Sequence, residues 1–240
     1  MTAVGSTQPG RNTDAGSTAS GGNTDVGSTE SANETDERTR IVGAGYDQMA
    51  DTWESWSAAV TDDPRAAWLE ALLELLPADA SVVELGCGNG SAETRALAER
   101  GSLVGVDISE EQLRRARDRV PEATFVQGDL TTIELEPGSV DAVVAFYVFN
   151  HVPRELLAGV FARIHGWLRP GGHFLASLGA GDVDAWTGDW LGVPMFFSSF
   201  PPATNTRLLR DAGFELLRDE TVTITEPEGA VTFQWVLARR

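Results

Sequence analysis

The chain has 240 residues, with 36 acids against 18 basic residues and a formal charge of -18. All 18 cations are Arg and none is Lys, which excludes a P-loop lysine, a pyridoxal Schiff base and a lysine general base; the acidic balance also argues against a nucleic-acid partner, whose phosphates need clustered cations. A single cysteine, Cys87, allows neither an internal disulfide nor a Cys-based metal site, and no apolar run approaches the roughly 18 residues of a membrane span.

The length suits one α/β domain with a full core. A Lys-free, acidic surface suits a cytoplasm of high salt, where carboxylates hold hydration and their repulsion is screened. With no signal-peptide pattern at the N-terminus, a cytoplasmic protein from a salt-loving source is expected.

Residues 1–40 read as a separate tail. An 11-residue repeat runs over Val4–Asp14, Ala15–Asp25 and Val26–Asp36. Its Gly, Ser, Thr, Asn and Asp have little to bury, so disorder is expected. From Ile41 the composition changes. Tyr46-Asp47-Gln48-Met49-Ala50, followed by Trp53 and Trp56, suggests a helical cap over 41–80. Asp62-Asp63-Pro64 reads as a helix start, and Trp68, Leu69, Leu72, Leu73 and Leu76 form its apolar stripe.

Val82-Val83-Glu84-Leu85-Gly86-Cys87-Gly88-Asn89-Gly90 reads as a buried strand that stops in a glycine loop. Gly86, Gly88 and Gly90 suit a backbone that turns sharply against a ligand, and the small Cys87 fits between them. The helix expected over Ser91–Arg100 would place its N-terminus at a nucleotide-type site. The spacing is G-x-G-x-G, with Ser91 where the dinucleotide fingerprint has its last Gly. Glu84 would repel a pyrophosphate and suits a cationic ligand.

The run Leu103–Asp107 reads as the second strand, ending in an acid 17 residues past Gly90. Such a carboxylate accepts hydrogen bonds from ribose hydroxyls; it can also merely help cap the next helix. Ser109-x-x-Gln112 is a capping box for that helix. Phe125–Leu130 reads as the third strand, carrying Gly128-Asp129, and Val140–Ala145 as the fourth. Phe146-Tyr147-Val148-Phe149-Asn150-His151 follows at that strand's end, and Pro153 opens a helix to about Leu168. Arg169-Pro170-Gly171-Gly172 reads as a tight turn before a fifth strand, His173–Leu178. His165 and His173 are expected to be structural.

Residues 179–203 read as an aromatic-rich loop, with Trp186, Trp190, Met195, Phe196, Phe197 and Phe200 between glycines and prolines. A loop of this length is usually functional, and a substrate lid is expected. Helix Thr204–Ala212 ends at Gly213. Phe214–Thr225 and Val231–Ala238 read as a strand pair, with Thr223, Thr225 and Glu226 able to overhang the site.

Taken together, these motifs over residues 41–240 resemble the class I S-adenosylmethionine-dependent methyltransferases. The resemblance implies a three-layer αβα Rossmann-like fold, with a seven-stranded, mostly parallel sheet closed by a C-terminal antiparallel hairpin. It implies S-adenosyl-L-methionine as cofactor, with the glycine loop around the methionine half and Glu84 toward its ammonium. Tyr46 would meet the methionine carboxylate. Asp107 would hold the ribose, Ile108 press on the adenine and Gln112 touch the adenosine. Asp129 would read the adenine amino group and Leu130 offer a backbone N–H. Phe146 belongs to an aromatic segment whose faces attract a sulfonium. His151 is the candidate catalytic group, a general base for an oxygen or acidic-carbon acceptor and otherwise structural or orienting. The aromatic lid favours a small-molecule acceptor, with no metal, nucleic acid or membrane partner. The alternatives are a nicotinamide-dependent reductase, disfavoured by Glu84 and the glycine spacing, and a cofactor-binding interaction module without catalysis.

Overall fold

The computed structural model describes residues 27–240, with side chains from Glu37 onward. The first two 11-residue repeats and most of the expected tail lie outside the described residues. Helix α1 spans Gly27–Gln48, so the chain is helical well before the expected boundary at residue 40. Val42 and Tyr46 share one face of its C-terminal part, Met49 follows it as the cap of the next helix, and Val42 and Met49 are buried. Helices α2 (Ala50–Ser57) and α3 (Arg65–Leu75) complete the N-terminal layer. Pro64 precedes α3 as its cap residue, and Asp63 Oδ1 accepts the Arg65 N–H at 3.0 Å.

The core alternates strand and helix. Strand β1 (Ala80–Leu85), α4 (Ala92–Arg100), β2 (Gly101–Asp107), α5 (Glu110–Arg119), β3 (Thr124–Gln127) and β4 (Val140–Ala145) follow in turn. Two short 3-10 turns, Phe149–His151 and Arg154–Leu156, lead into α6 (Leu157–Trp167). Strand β5 (Leu168–Gly179) begins sooner than expected, because Arg169–Gly172 is a bulge within it: Val140 pairs Leu168 and Ala142 pairs His173. Two further strands, β6 (Val183–Trp190) and β7 (Val193–Ser199), are followed by α7 (Pro202–Asp211) and the long pair β8 (Glu215–Glu226) and β9 (Gly229–Arg239).

Among the described residues, seven strands form one sheet in the order β3-β2-β1-β4-β5-β9-β8. The first five are parallel, and β9 and β8 close the edge antiparallel. Strand order reverses between β1 and β4, so their carboxyl ends open a crevice where α/β sheets bind ligands. Because side chains alternate across a strand, Val83, Leu85 and Val143 face one layer with Phe161, Ile164 and Phe174. Val82 and Val144 face the other, with Trp68, Leu72 and Trp235.

The segment expected as an irregular lid is a separate β6–β7 hairpin. Its turn residues Leu191 and Gly192 have φ of 53° and 85°, the double left-handed turn that matches strand twist. The hairpin does not lie loose. Val193, Met195 and Phe196 form a small core with Val42 of α1 and Met49 just past its end. Gly45 lets the helix approach closely, since a Cβ there would lie 2.7 Å from Met195 Cε. Helix α1 and the hairpin together roof the crevice.

Candidate functional site

The glycine loop after β1 is held by its neighbour strand. Gly86 and Cys87 both donate their N–H to Val106 O, and Gly88 donates to Asp107 Oδ2 at 2.8 Å. Gly86 and Gly88 have φ of 69° and 54°. A Cβ on Gly86 would also collide with Val148 at 2.6 Å. Gly90 has a different role from the one expected. It does not line the cavity; it packs on α5, where a Cβ would sit 3.0 Å from Ala116 Cα. Ser91 caps α4 in a reciprocal box with Thr94.

A cavity of about 140 Å³ lies against this loop. The expected residues Glu84, Gly86, Cys87, Gly88, Asp107 and Ile108 line it on the β1–β2 side. Gln112, Asp129 and Leu130 line it after β2 and β3, Phe146 and His151 line it after β4, and Tyr46 enters from α1. Glu84 is buried. Thr94 Oγ1 donates to its Oε1 at 3.2 Å, while Oε2 has no partner. Burial pushes its carboxyl up to about 8, against the Thr94 hydrogen bond. Asp107 accepts Gly88 N–H on Oδ2 and Ser109 N–H on Oδ1, and the Ile108 N–H also bears on its carboxylate. Burial still raises its carboxyl above the ordinary range. Ser109, not Asp107, caps α5. Both polar atoms of the buried Gln112 amide are unpartnered. Burial also pushes the Cys87 thiol up, which makes it a packing group rather than a nucleophile.

A second cavity, of about 400 Å³, adjoins the first. Tyr46, Trp53, Arg65, Tyr147 and His151 line both. His151 Nδ1 lies 3.0 Å from Phe196 O, and Nε2 lies 2.9 Å from the Tyr46 hydroxyl. A carbonyl only accepts, so Nδ1 carries the proton and Tyr46 donates to Nε2. Burial lowers the His151 imidazole to about 4, so it is neutral at pH 7. Tyr147 is held at φ 56°, an uncommon conformation for a bulky residue. Its N–H donates to Ser177 Oγ at 2.7 Å and its hydroxyl to Asp63 at 2.9 Å. That twist carries the chain from β4 across the mouth of both cavities.

The roof is tied down over the site. Asp47 of α1 accepts Ser109 Oγ at 2.6 Å and Glu111 N–H at 3.2 Å. Arg115 pairs with Asp51 at 2.6 Å and with Glu54, and Arg119 pairs with Glu54 at 2.5 Å. The Trp53 ring lies over the glycine loop, 3.6 Å from where a Gly88 Cβ would be. Trp53 and Trp56 both face cavities.

Several lining residues escaped the sequence reading. Thr39 falls in the expected tail, and Arg65 and Thr131 carry no motif. The capping logic that found Asp63 could have flagged its ion-pair partner Arg65. Glu226 reaches the second cavity as expected, whereas Thr225 bridges to Thr61 and Asp62 and Thr223 bonds Thr232.

Comparisons with known proteins agree with this geometry. A methyltransferase domain family matches residues 82–172. An uncharacterized methyltransferase of Synechocystis is 30% identical over 145 residues, covering 57% of this chain and 68% of that protein. A trans-aconitate 2-methyltransferase of Rhodopseudomonas palustris is 35% identical over 113 residues, 45% of this chain and 43% of that one. Among solved structures, an S-adenosylmethionine-dependent methyltransferase from Mesorhizobium loti superposes with a TM-score of 0.58 at 26% identity, over 71% of this chain and 96% of that one. The chain spans 39% and 43% of the length of the first curated relatives it matches.

Proposed function

Because this chain belongs to the S-adenosylmethionine-dependent methyltransferases, we propose that it transfers a methyl group from S-adenosylmethionine to a small-molecule acceptor. The observation that carries the cofactor assignment is the bare, buried Glu84 Oε2 at the glycine loop. A buried carboxylate oxygen without a donor is costly, and the cofactor's ammonium is the group that answers it. The rest of the first cavity fits the same molecule. Asp107, at the end of β2, offers its carboxylate to the ribose hydroxyls. Asp129 keeps Oδ2 free for the adenine amino group, since Thr131 N–H takes Oδ1. Leu130 and Ile108 supply apolar contact to the ring, and the unpartnered Gln112 amide supplies a polar edge. The roof that α1 and the hairpin form over the crevice acts as the lid.

When bound, the cofactor supplies an electrophilic methyl group on a sulfonium. The chain's contribution is to hold an acceptor in line with it and to exclude water. The second cavity is the acceptor chamber in this reading, because it shares Tyr46 and His151 with the cofactor cavity. His151 serves the reaction through Tyr46. Its Nε2 accepts the tyrosine's hydrogen bond, so the phenol oxygen presents lone pairs to a donor group on the acceptor. For an oxygen or acidic-carbon acceptor, the proton it loses passes to the Tyr46 oxygen as the tyrosine's own proton moves to His151 Nε2. The small size of the acceptor is supported by the chamber's volume of about 400 Å³ and by the relative named for trans-aconitate.

The test is methyl-labelled S-adenosylmethionine incubated with the protein and fractionated cell extract. Label is expected in the small-molecule fraction. Label confined to RNA or protein would sink the acceptor assignment, and label nowhere, in a protein that binds the cofactor, would favour a non-catalytic role.

A further inference from the structure

The acceptor chamber has a chemical preference written into its walls. Aromatic rings dominate one side. Tyr46 meets Trp53 and Trp190 edge to face at 6.1 and 6.3 Å. Trp190 continues the arc to Trp56 at 5.3 Å and to Phe197 at 5.5 Å. Ring faces carry negative potential and attract cations.

The polar atoms point the same way. Most of the chamber's donors are already committed. Ser57, Ser198 and Ser199 hydroxyls donate to the carbonyls of Glu54, Val152 and Gly181. Tyr147 donates to Asp63, and the Trp56 indole to Glu228. Acceptors are left over. Asn150 Oδ1 is buried with no donor. Glu226 faces the chamber, and the charge that bears on it is another acid, Glu228. Arg65 is the one cation among the described lining residues. Asp63 answers it at 2.7 Å, and its guanidinium lies 5.5 Å from the Tyr147 ring centre. The chamber therefore offers rings, spare acceptors and a net negative charge.

We propose that this chamber takes an amine that binds as a cation, an inference that rests on the methyltransferase reading above. The rings hold the ammonium and its carbon skeleton, and Glu226 and Asn150 Oδ1 accept its N–H groups. The chemistry then balances without a further reagent. The ammonium gives a proton to the Glu226 carboxylate, which frees the nitrogen lone pair. The N–CH3 bond forms as the S–CH3 bond breaks, and the breaking pair stays on sulfur. Glu226 returns its proton to water when the N-methylammonium leaves. A polycarboxylate such as trans-aconitate finds the opposite of what it needs here, one cation already paired and carboxylates without partners.

The test compares three probes that share a ring and a chain and differ in charge: phenethylamine, 2-phenylethanol and 3-phenylpropionate. Tryptophan fluorescence reads their binding to protein saturated with S-adenosylhomocysteine, whose own binding is measured first by calorimetry. Phenethylamine is expected to bind at least about tenfold tighter than the other two, the scale of one desolvated cation–π contact. Glu226→Gln is expected to narrow that gap while S-adenosylhomocysteine binds as in the wild type, which also shows that the variant is folded. Equal or tighter binding of the alcohol or the acid, no binding of the amine at millimolar concentration, or a gap untouched by Glu226→Gln overturns the proposal and leaves the methyltransferase reading standing. Failure of S-adenosylhomocysteine itself to bind overturns the reading on which it rests.

Discussion

Glu84 stores a proton that the cofactor should release. Burial lifts its carboxyl from an ordinary 4.5 to about 8, because ionising it in the empty cavity leaves Oε2 unanswered. Linkage fixes the sign. The folded protein holds this proton between pH 4.5 and about 8 while the unfolded chain has lost it, so Glu84 makes the ligand-free protein lose stability as pH rises through that window. An ammonium placed against Oε2 favours the charged carboxylate and expels the proton. Calorimetric titration with S-adenosylhomocysteine at pH 7, in buffers of different ionisation enthalpy, is therefore expected to show release of close to one proton, and Glu84→Gln to abolish it. Heats that do not depend on the buffer would show that Glu84 does not meet the ammonium. His151 has the opposite sign. Its imidazole is lowered to about 4, so its contribution to stability is present at neutral pH and is lost as the solution is acidified from about 6.5 toward 4.

Elements place these residues through glycines whose roles differ. Gly90 seats the loop on α5 with φ 76° and Ala116 Cα at 3.0 Å from a would-be Cβ. Gly90→Ala is expected to cost about 1–2 kcal/mol from the left-handed backbone alone, and more from the contact. Gly159, exposed inside α6 with open space around it, provides the contrast: Gly159→Ala is expected to stabilise by about 0.5–1 kcal/mol. Denaturant unfolding of both variants checks the pair, and equal effects would contradict the account. The sequence made β1, β2, β4 and the β8–β9 pair legible, because their apolar runs end in strong punctuation at Gly86, Asp107, Phe146 and Pro227-Glu228-Gly229. Of the residues expected at the cofactor, Gly86, Asp107 and Phe146 follow or end such strands, while Tyr46 and Gln112 stand on helices, and most of them line the first cavity. The β6–β7 hairpin was not legible. Phe196 packs under α1 while Trp190 and Phe197 also wall a chamber, so apolar residues stand on both sides of the hairpin. Helix α1 hid behind the composition of residues 27–40, and the Arg169–Gly172 bulge looked like a turn because Pro and Gly serve both. The crowding of Gly90 by Ala116 was not legible, because a glycine spacing shows where small residues stand, not which neighbour crowds them.

At the scale of the whole molecule, charge dominates. A formal -18 over 240 residues repels itself in dilute buffer, and the Debye length shrinks from about 10 Å at ~0.1 M salt to about 3 Å at ~1 M. Salt also weakens the Arg115 and Arg119 ion pairs that tie the roof, but exposed pairs are worth only about 0–1 kcal/mol each. Relief of the net repulsion should win. The thermal midpoint is expected to rise from dilute buffer to molar KCl, and a midpoint that falls would mean that the ion pairs outweigh it. The same conditions suit the measurement that bears most directly on the central claim, that the first cavity is an S-adenosylmethionine site anchored on Asp107. Wild type and Asp107→Ala are titrated calorimetrically with S-adenosylhomocysteine in molar KCl, with NADH and NADPH as comparison ligands. The account predicts tight binding to the wild type, weakened about tenfold or more in the variant, the loss expected for hydrogen bonds to a charged group, and no binding of either nicotinamide. A folded wild type that ignores S-adenosylhomocysteine, or a variant that binds it equally well, would contradict the account.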